Sequence, residues 1–251
     1  KNIAAVILEP TGARMGMFPI EPTFLYELRE VTKRHGVLLI FDEVVTGFRI
    51  SPGGAQAYYN VIPDLTTLAK ILGGGLPGGA VVGRADILEM ISHSDDPNDL
   101  EQNRVSHPGT FNANPLSAAA GCTCLQHIAS GKPNTDANIA ATRLRTGIND
   151  LLINMEIAGC CYGLASFFHL NLGGKCLCKD RTSCVATHAQ VQQGMQPSLA
   201  QHIKLAAVNA GIDLMGGHTG LVSAAHTSKD IDWTIGAFEN VFSALQGEGL
   251  V

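Results

Sequence analysis

Two residues of this chain could do chemistry together. Asp42 closes the apolar run Val37-Leu38-Leu39-Ile40-Phe41, and Lys70 closes Leu65-Thr66-Thr67-Leu68-Ala69. A run that is apolar at every position reads as a parallel strand buried on both faces, so Asp42-Glu43 places two acids at its mouth. Lys70 is followed by Ile71-Leu72-Gly73-Gly74-Gly75, so a second strand-like segment delivers an amine onto a glycine-lined floor. An amine in that position condenses with a carbonyl if it is desolvated or lies near positive charge, because only the neutral form is a nucleophile. A carboxylate at the neighbouring strand end can keep a pyridine nitrogen protonated. Together they form the pair that a pyridoxal phosphate site uses. A lone strand-end aspartate is commonly a turn residue and a lone lysine beside glycines is commonly a surface one, so each gives the other its meaning.

The elements that must position this pair alternate between strand and helix. Residues 4–8 read as a strand. Phe24, Leu25, Leu28 and Val31 then recur at helical spacing between Pro22, a good first-turn residue, and Gly36, a good stop. Strand 37–41 follows, Pro63-Asp64 starts a turn into the Lys70 segment, and residues 80–82 give a short strand before a helix at 85–91. Residues 94–106 are polar and loop-like. From Pro115 the character changes to an alanine-rich helix ending near Ile128, a longer helix at 137–157 and a strand at 167–172. A helix at 198–210, a strand at 221–225 and a last helix opening at the natural N-cap Thr227 complete the chain.

With 251 residues, 45% hydrophobic content and 16% charged residues, the chain can bury a sizeable core. A net charge of -5 with scattered basic residues gives no footprint for nucleic acid. No apolar run approaches the roughly 18 residues of a spanning helix, and residues 1–8 are too short for a signal peptide, so the expectation is a cytoplasmic protein without membrane partners. Seven cysteines fit reduced thiols better than a disulfide framework. Cys176, Cys178, Cys184 and His188 cluster, but Cys-x-Cys is not a zinc-knuckle spacing, and no metal site is expected. Cys122 and Cys124 are expected as small core fillers.

Taken together, several segments resemble the class III aminotransferases of pyridoxal phosphate fold type I, closest to the glutamate-1-semialdehyde aminomutase branch. They are Leu8-Glu9-Pro10, Phe41-Asp42-Glu43-Val44, Thr46-Gly47-Phe48-Arg49, Gly53-Gly54-Ala55-Gln56, Pro63 to Lys70 with its three glycines, Gly109-Thr110-Phe111-Asn112-Ala113-Asn114-Pro115, and Ala225-His226-Thr227. The resemblance implies an α/β fold with a mostly parallel sheet. Residues 1–114 would be part of the large cofactor-binding domain, and 115–251 a small α+β carboxy-terminal domain. It implies pyridoxal 5′-phosphate as cofactor, Lys70 as the Schiff-base lysine, Asp42 as the partner of the pyridine nitrogen, and Val44 packed on the ring. Gly109 and Thr110 would reach the phosphate of a neighbouring subunit, making a homodimer with a shared site. Glu9, Glu43 and His218 would sit at the substrate rim, with His107 and His226 as further rim candidates; His188 and His202 carry no such expectation.

The chain departs from that pattern in two places. The family runs to a greater length, and the part that would precede Lys1 carries its phosphate-cradling glycine and serine turn and its ring-stacking aromatic. In Gly216-Gly217-His218-Thr219-Gly220 an acidic residue is expected near His218 in the aminomutases, and Leu8 to Ala13 looks closer to amino-acid and β-amino-acid transaminases. The expected function is amino group transfer on a small amino acid or amino aldehyde, either within one molecule or between two. The alternative is a non-catalytic truncated or dimer-contact piece of such an enzyme.

Overall fold

The computed structural model describes residues 3–92, 104–173, 189 and 196–251. The cluster of Cys176, Cys178, Cys184 and His188, and most of the loop expected at 94–106, lie outside the described residues. Among the described residues no group of three or more His, Cys, Asp or Glu could hold a metal ion. Packing divides the chain into two units, one of Lys1–Pro10 with Pro22–Ser130 and one of Thr11–Glu21 with Gly131–Val251.

The first unit is built on four strands, β1 (Ala5–Leu8), β2 (Leu38–Glu43), β3 (Leu65–Ala69) and β4 (Gly79–Gly83), in the order β1-β2-β3-β4. β1, β2 and β3 are parallel, and β4 runs antiparallel to β3. Its helices are α1 (Phe24–Arg34), α2 (Gly54–Tyr59), the single turn α3 (Ala85–Leu88) and α4 (Pro115–Ile128). α1 forms where the sequence pattern expects it, ending at His35 and Gly36, whose φ is 63°. The expected helix at 85–91 is α3 followed by a 3-10 turn, Glu89–Ile91. Along β2 burial alternates: Leu39, Phe41 and Glu43 are buried while Leu38, Ile40 and Asp42 are half-buried. The strand is therefore less enclosed than its wholly apolar sequence suggests. Because successive side chains point to opposite faces, Asp42 and Glu43 cannot share an environment.

α4 begins at Asn114, whose side chain accepts from Leu116 N at 3.0 Å and Ser117 N at 3.2 Å, with Pro115 in the first turn. Its small residues let it lie backbone to backbone on the turn that follows β3. A Cβ at Gly121 would stand 2.4 Å from the Leu72 carbonyl oxygen, and one at Gly74 would stand 2.3 Å from that of Ala120. By this packing α4 stays with the first unit, so the division falls after Ser130 instead of before Pro115. Cys122 is exposed and Cys124 half-buried, which corrects their expected place in the core.

The second unit carries α5 (Lys132–Asn154), β5 (Gly159–Tyr162), β6 (Phe167–Leu172), α6 (Pro197–Asn209), β7 (Thr219–Leu221) and α7 (Ser228–Gly247). The three strands form an antiparallel sheet in the order β5-β6-β7. Phe168, Leu170 and Leu172 enter a core with Leu144 and Ile148 of α5, Ile203 of α6, and Phe238 and Phe242 of α7. Phe238 is fully buried and meets Phe168 edge to face, so Phe238→Ala is expected to cost about 3–5 kcal/mol. β7 is shorter than the expected 221–225, because Ser223 and His226 turn the chain: Ser223 N donates to His226 Nδ1 at 3.0 Å. Thr227 then caps α7 in a reciprocal box with Asp230.

The other face of this sheet meets the segment Thr11–Glu21. Tyr162 Oη donates to the Met17 carbonyl at 2.7 Å, and His169 Nε2 lies 3.1 Å from the Met15 carbonyl. Within the segment Arg14 and Met15 hold left-handed backbone, φ 54° and 62°.

Candidate active site

Three of the expected site residues stand at the carboxyl ends of the three parallel strands. Glu9 follows β1, Asp42 lies within the last two residues of β2, and Lys70 follows β3. Strand pairing sets their level: Leu8 is level with Phe41, and Asp42 with Thr67. The carboxyl ends of parallel strands are where open α/β sheets bind ligands, because there the loops diverge and leave a crevice.

Asp42 is oriented by two uncharged donors on the same carboxylate oxygen, Val44 N at 3.1 Å and Thr67 Oγ1 at 3.2 Å. Val44 thus contributes its backbone, and its side chain is half-buried. Thr67 was not singled out by sequence reading, although its place in the strand that ends at Lys70 puts it opposite Asp42 once the register is known.

Lys70 opens a 3-10 turn, Lys70–Gly73, and holds left-handed backbone with φ 50°. That conformation costs a non-glycine residue roughly 1–2 kcal/mol and survives only where the surroundings impose it. Here α4 imposes it, by packing directly against the turn. The side chain is exposed, so the desolvation expected from the sequence is not present in the chain as described.

Glu43 does not reach a substrate rim. It is 1% exposed and its carboxylate sits at the start of α2, accepting from Ala55 N at 2.5 Å, Gln56 N at 3.3 Å and Thr46 Oγ1 at 3.2 Å. Burial pushes its carboxyl above the ordinary range, and the bonds from Ala55, Gln56 and Thr46 pull against that rise without cancelling it. The inward face of β2 dictates this role, since any side chain at position 43 must enter the packing under α2.

Gly109 and Thr110 lie in the exposed segment before α4, with Thr110 at the start of a turn. Asn112 Nδ2 ties this segment to the His107 carbonyl at 3.1 Å. The amides of Leu116 and Ser117 are taken by Asn114, so a phosphate there would meet the Thr110 hydroxyl and the turn backbone, not the first turn of α4. The neighbours of these two residues, His107 and Phe111 to Asn114, line a cleft of about 650 Å³ together with Gly73, Gly78 and Gly79, while Gly109 and Thr110 are not among its lining residues.

His218 belongs to the second unit, between Gly217 and β7, and is half-buried. Burial pushes its imidazole down, the Gly216 backbone holds it up, and the nearby Arg14 guanidinium lowers it further. His226 is exposed and bonded to Ser223, and His202 Nδ1 lies 2.7 Å from the Ser198 carbonyl. His169, which sequence reading passed over, is 1% exposed and held neutral, its pKa lowered to about 4 chiefly by burial.

A mostly parallel sheet flanked by helices, followed by a smaller α+β unit, is the fold of the fold type I transaminases, and comparison with solved structures agrees. An ω-transaminase from Sphaerobacter thermophilus matches with TM-score 0.81 and 29% identity, covering 96% of this chain and 52% of that one. A β-phenylalanine aminotransferase from Variovorax paradoxus matches with TM-score 0.76 and 29% identity, over 99% of this chain and 53% of that one. Residues 1–160 match the profile of the Aminotransferase class-III family, and the chain belongs to that family. A curated relative, the glutamate-1-semialdehyde 2,1-aminomutase of Pyrobaculum neutrophilum, is 38% identical over 249 residues, covering 98% of this chain and 55% of that protein. The chain thus spans about half the length of the relatives it matches.

Proposed function

We propose that this chain carries the cofactor-holding half of a pyridoxal 5′-phosphate enzyme that transfers an amino group on a small amino acid or amino aldehyde. The carrying observation is the placement of Asp42 and Lys70 at the carboxyl ends of β2 and β3, with Asp42 aimed by Thr67 and Val44 and Lys70 held in left-handed backbone. The donor set fits the group: an oriented carboxylate for a ring nitrogen, a primary amine for an aldehyde, and a hydroxyl at Thr110 for a phosphate.

Bound there, pyridoxal 5′-phosphate supplies an electron sink for the substrate carbon that bears nitrogen. Asp42 would keep a proton on the ring nitrogen through its carboxylate, which its two neutral donors orient. Lys70 Nζ would take a proton from the substrate carbon and return one, as general base and then acid. Gly109 and Thr110 would hold the phosphate of the neighbouring subunit's cofactor, and the Val44 side chain would pack on the ring face.

We further infer a cytoplasmic homodimer that shares its site. Among the described residues no helix is long and apolar enough to cross a membrane, and Cys122, Cys124, Cys160 and Cys161 are free thiols. The relatives favour two forms of the reaction: the aminomutase at 38% identity supports transfer within one molecule, and the transaminases at 29% identity support transfer between two. Turnover of a single amino aldehyde without added keto acid identifies the first.

Borohydride reduction of the chain equilibrated with pyridoxal 5′-phosphate, followed by peptide mass spectrometry, tests the assignment. A pyridoxyl group on the Lys70 peptide, absent in Lys70→Ala, is the expected result. No label, or label spread over other lysines, overturns it in favour of a non-catalytic piece.

A further inference from the structure

We propose that the strap Thr11–Glu21 is held by an acid-released latch: neutral His169 fastens it to the sheet of the second unit, and a second proton on that ring lets it go. This goes beyond the cofactor reading and does not depend on it.

Two side chains of the sheet hold two carbonyls of the strap. His169 Nε2 lies 3.1 Å from the Met15 carbonyl oxygen, and Tyr162 Oη donates to the Met17 carbonyl at 2.7 Å. A carbonyl only accepts, so Nε2 carries the ring proton, and Nδ1, 3.0 Å from Thr219 Oγ1, accepts from that hydroxyl. Tyr162, His169 and Thr219 are register partners in one row across β5, β6 and β7. The latch is therefore built on the rigid part of the unit, and both ring nitrogens are already committed.

The strap is costly to hold in this form. Arg14 and Met15 are consecutive non-glycine residues in left-handed backbone, flanked by Gly12 with φ 97° and Gly16 with φ 82°. Such backbone persists only where surrounding contacts over-determine it. The bonds Gly16 N to Gly12 O at 3.0 Å, Met17 N to Arg14 O at 3.2 Å and Phe18 N to Ala13 O at 3.2 Å close the turn on itself, and those from His169 and Tyr162 tie it to the sheet.

A second proton would sit on Nδ1 and turn the acceptor that meets the Thr219 hydroxyl into a donor. It would also put a full charge on a ring that is 1% exposed. Burial lowers the pKa of this imidazole to about 4; the Met15 carbonyl holds it up, while His218 before β7 and Arg145 of α5 lower it further. Tyr162, beside it on β5, spends its hydroxyl on Met17, and among the described residues no acid is set against the ring. An imidazolium is stable there only if water reaches it, which lifting the strap allows. Proton uptake thus favours the lifted state, so the latch is whole above the ordinary histidine value of 6.5 and weakens as pH falls from there toward 4. The strap is entered from Glu9-Pro10 at the carboxyl end of β1, so acid acts on a segment that runs from the candidate crevice to the second unit's sheet.

Hydrogen exchange of the whole protein tests the latch, read by mass spectrometry on peptides covering 11–21, with α7 as internal control and intrinsic exchange rates corrected for pH. Between about pH 7 and 4.5, protection of the Gly16, Met17 and Phe18 amides should fall at least about tenfold while α7 keeps its own. His169→Gln, whose amide can still donate to the Met15 carbonyl but takes up no proton, should hold the strap near neutral pH and erase the pH dependence. Tyr162→Phe should lower protection at both ends of the range and leave the dependence in place. Side-chain nitrogen NMR of the wild type, with the His169 ring assigned through the backbone, needs no variant and should show the second proton arriving near pH 4. A pH dependence kept in His169→Gln, strap and α7 losing protection together, or a ring that titrates near its ordinary 6.5 overturns the proposal.

Discussion

Asp42 and Asp64 stand at opposite ends of the same pair of parallel strands and are held in opposite ways. Asp64, just before β3, accepts from Leu39 N at 2.8 Å, Arg29 at 2.7 Å and Arg84 at 3.1 Å. Burial alone would raise its carboxyl, but the Leu39 amide and the two guanidinium groups outweigh that and hold it below the ordinary range. Asp42 accepts from one amide and one hydroxyl, neither of them charged. One acid has its charge answered by two guanidinium groups; the other is oriented by an amide and a hydroxyl, as the proposed role toward a ring nitrogen requires. The difference teaches that a strand-end carboxylate is read by what answers it, not by its burial. Both acids are at least half-buried.

The sharpest way to break the comparison is to remove each charge in turn in the intact enzyme. Asp42→Asn keeps the shape and loses the charge that holds a ring nitrogen protonated, so kcat should fall about 10²–10³-fold, roughly 3–4 kcal/mol, with little change in Tm. A rate within about threefold of wild type sinks the role, since that is well under 1 kcal/mol.

Asp64→Asn should do the reverse, leaving kcat largely intact and costing about 2 kcal/mol of stability. That figure is modest because Arg84 is 49% exposed and solvent screens it. The pH dependence carries the sign. A carboxyl whose folded pKa lies below its ordinary 3.8 contributes stability at higher pH and loses it as pH falls through the folded value. Denaturant unfolding between about pH 5 and 2 should therefore show a shallower acid limb in Asp64→Asn. Glu43 acts with the opposite sign: its raised carboxyl makes ionisation less favourable in the fold, so its contribution declines as pH rises from its ordinary 4.5.

Gly121→Ala tests whether α4 positions the Lys70 turn. Alanine should gain up to about 1 kcal/mol of helix propensity, but its Cβ would stand 2.4 Å from a backbone oxygen that cannot swing aside. A net loss of about 1–2 kcal/mol, with slower pyridoxyl labelling of Lys70, is expected in thermal melts and labelling time courses. Unchanged labelling would detach the turn from α4.

The residues that were legible in the sequence are those whose neighbours in the chain define them. β6 at Phe167–Leu172 and α4 at Pro115–Ile128 match their expected spans, because a run whose alternate positions Phe168, Leu170 and Leu172 are apolar and an Asn-Pro start are local signals. The positions of Asp42 at the end of β2 and Lys70 just after β3 were legible for the same reason, each lying where an apolar run stops. What was missed depends on distant partners. α2 opens at Gly53-Gly54, which reads as a break, and is started by the carboxylate of Glu43. β5 is four residues, Gly-Cys-Cys-Tyr, and its place is fixed by Asn149 of α5, which bonds Cys161 on both sides at 2.9 and 2.7 Å. Asp64 reads as a turn residue until Arg29 and Arg84 fold onto it. The left-handed turn at Arg14 follows from His169 and Tyr162, far along the chain, and no local propensity announces it.

The smallest expected effect is at Thr67, and it separates aiming from charge. Thr67→Val keeps shape and strand propensity, so the stability of β3 should hold. It removes the hydroxyl that donates to Asp42 at 3.2 Å and leaves the Val44 amide as the remaining donor of the pair. A bond to a charged acceptor is worth roughly 1.5–3 kcal/mol at good geometry, and this one is long, so about 1 kcal/mol is the reasonable expectation. The carboxylate keeps its charge but loses one of two constraints on its direction, so kcat should fall about fivefold while KM stays near wild type. Thr67→Ser, which restores the donor, should recover most of the rate. If Thr67→Val instead lowers Tm and leaves kcat alone, Thr67 serves the sheet and Asp42 is aimed by Val44; if Ser fails to rescue, the methyl group and not the hydroxyl was the part that mattered.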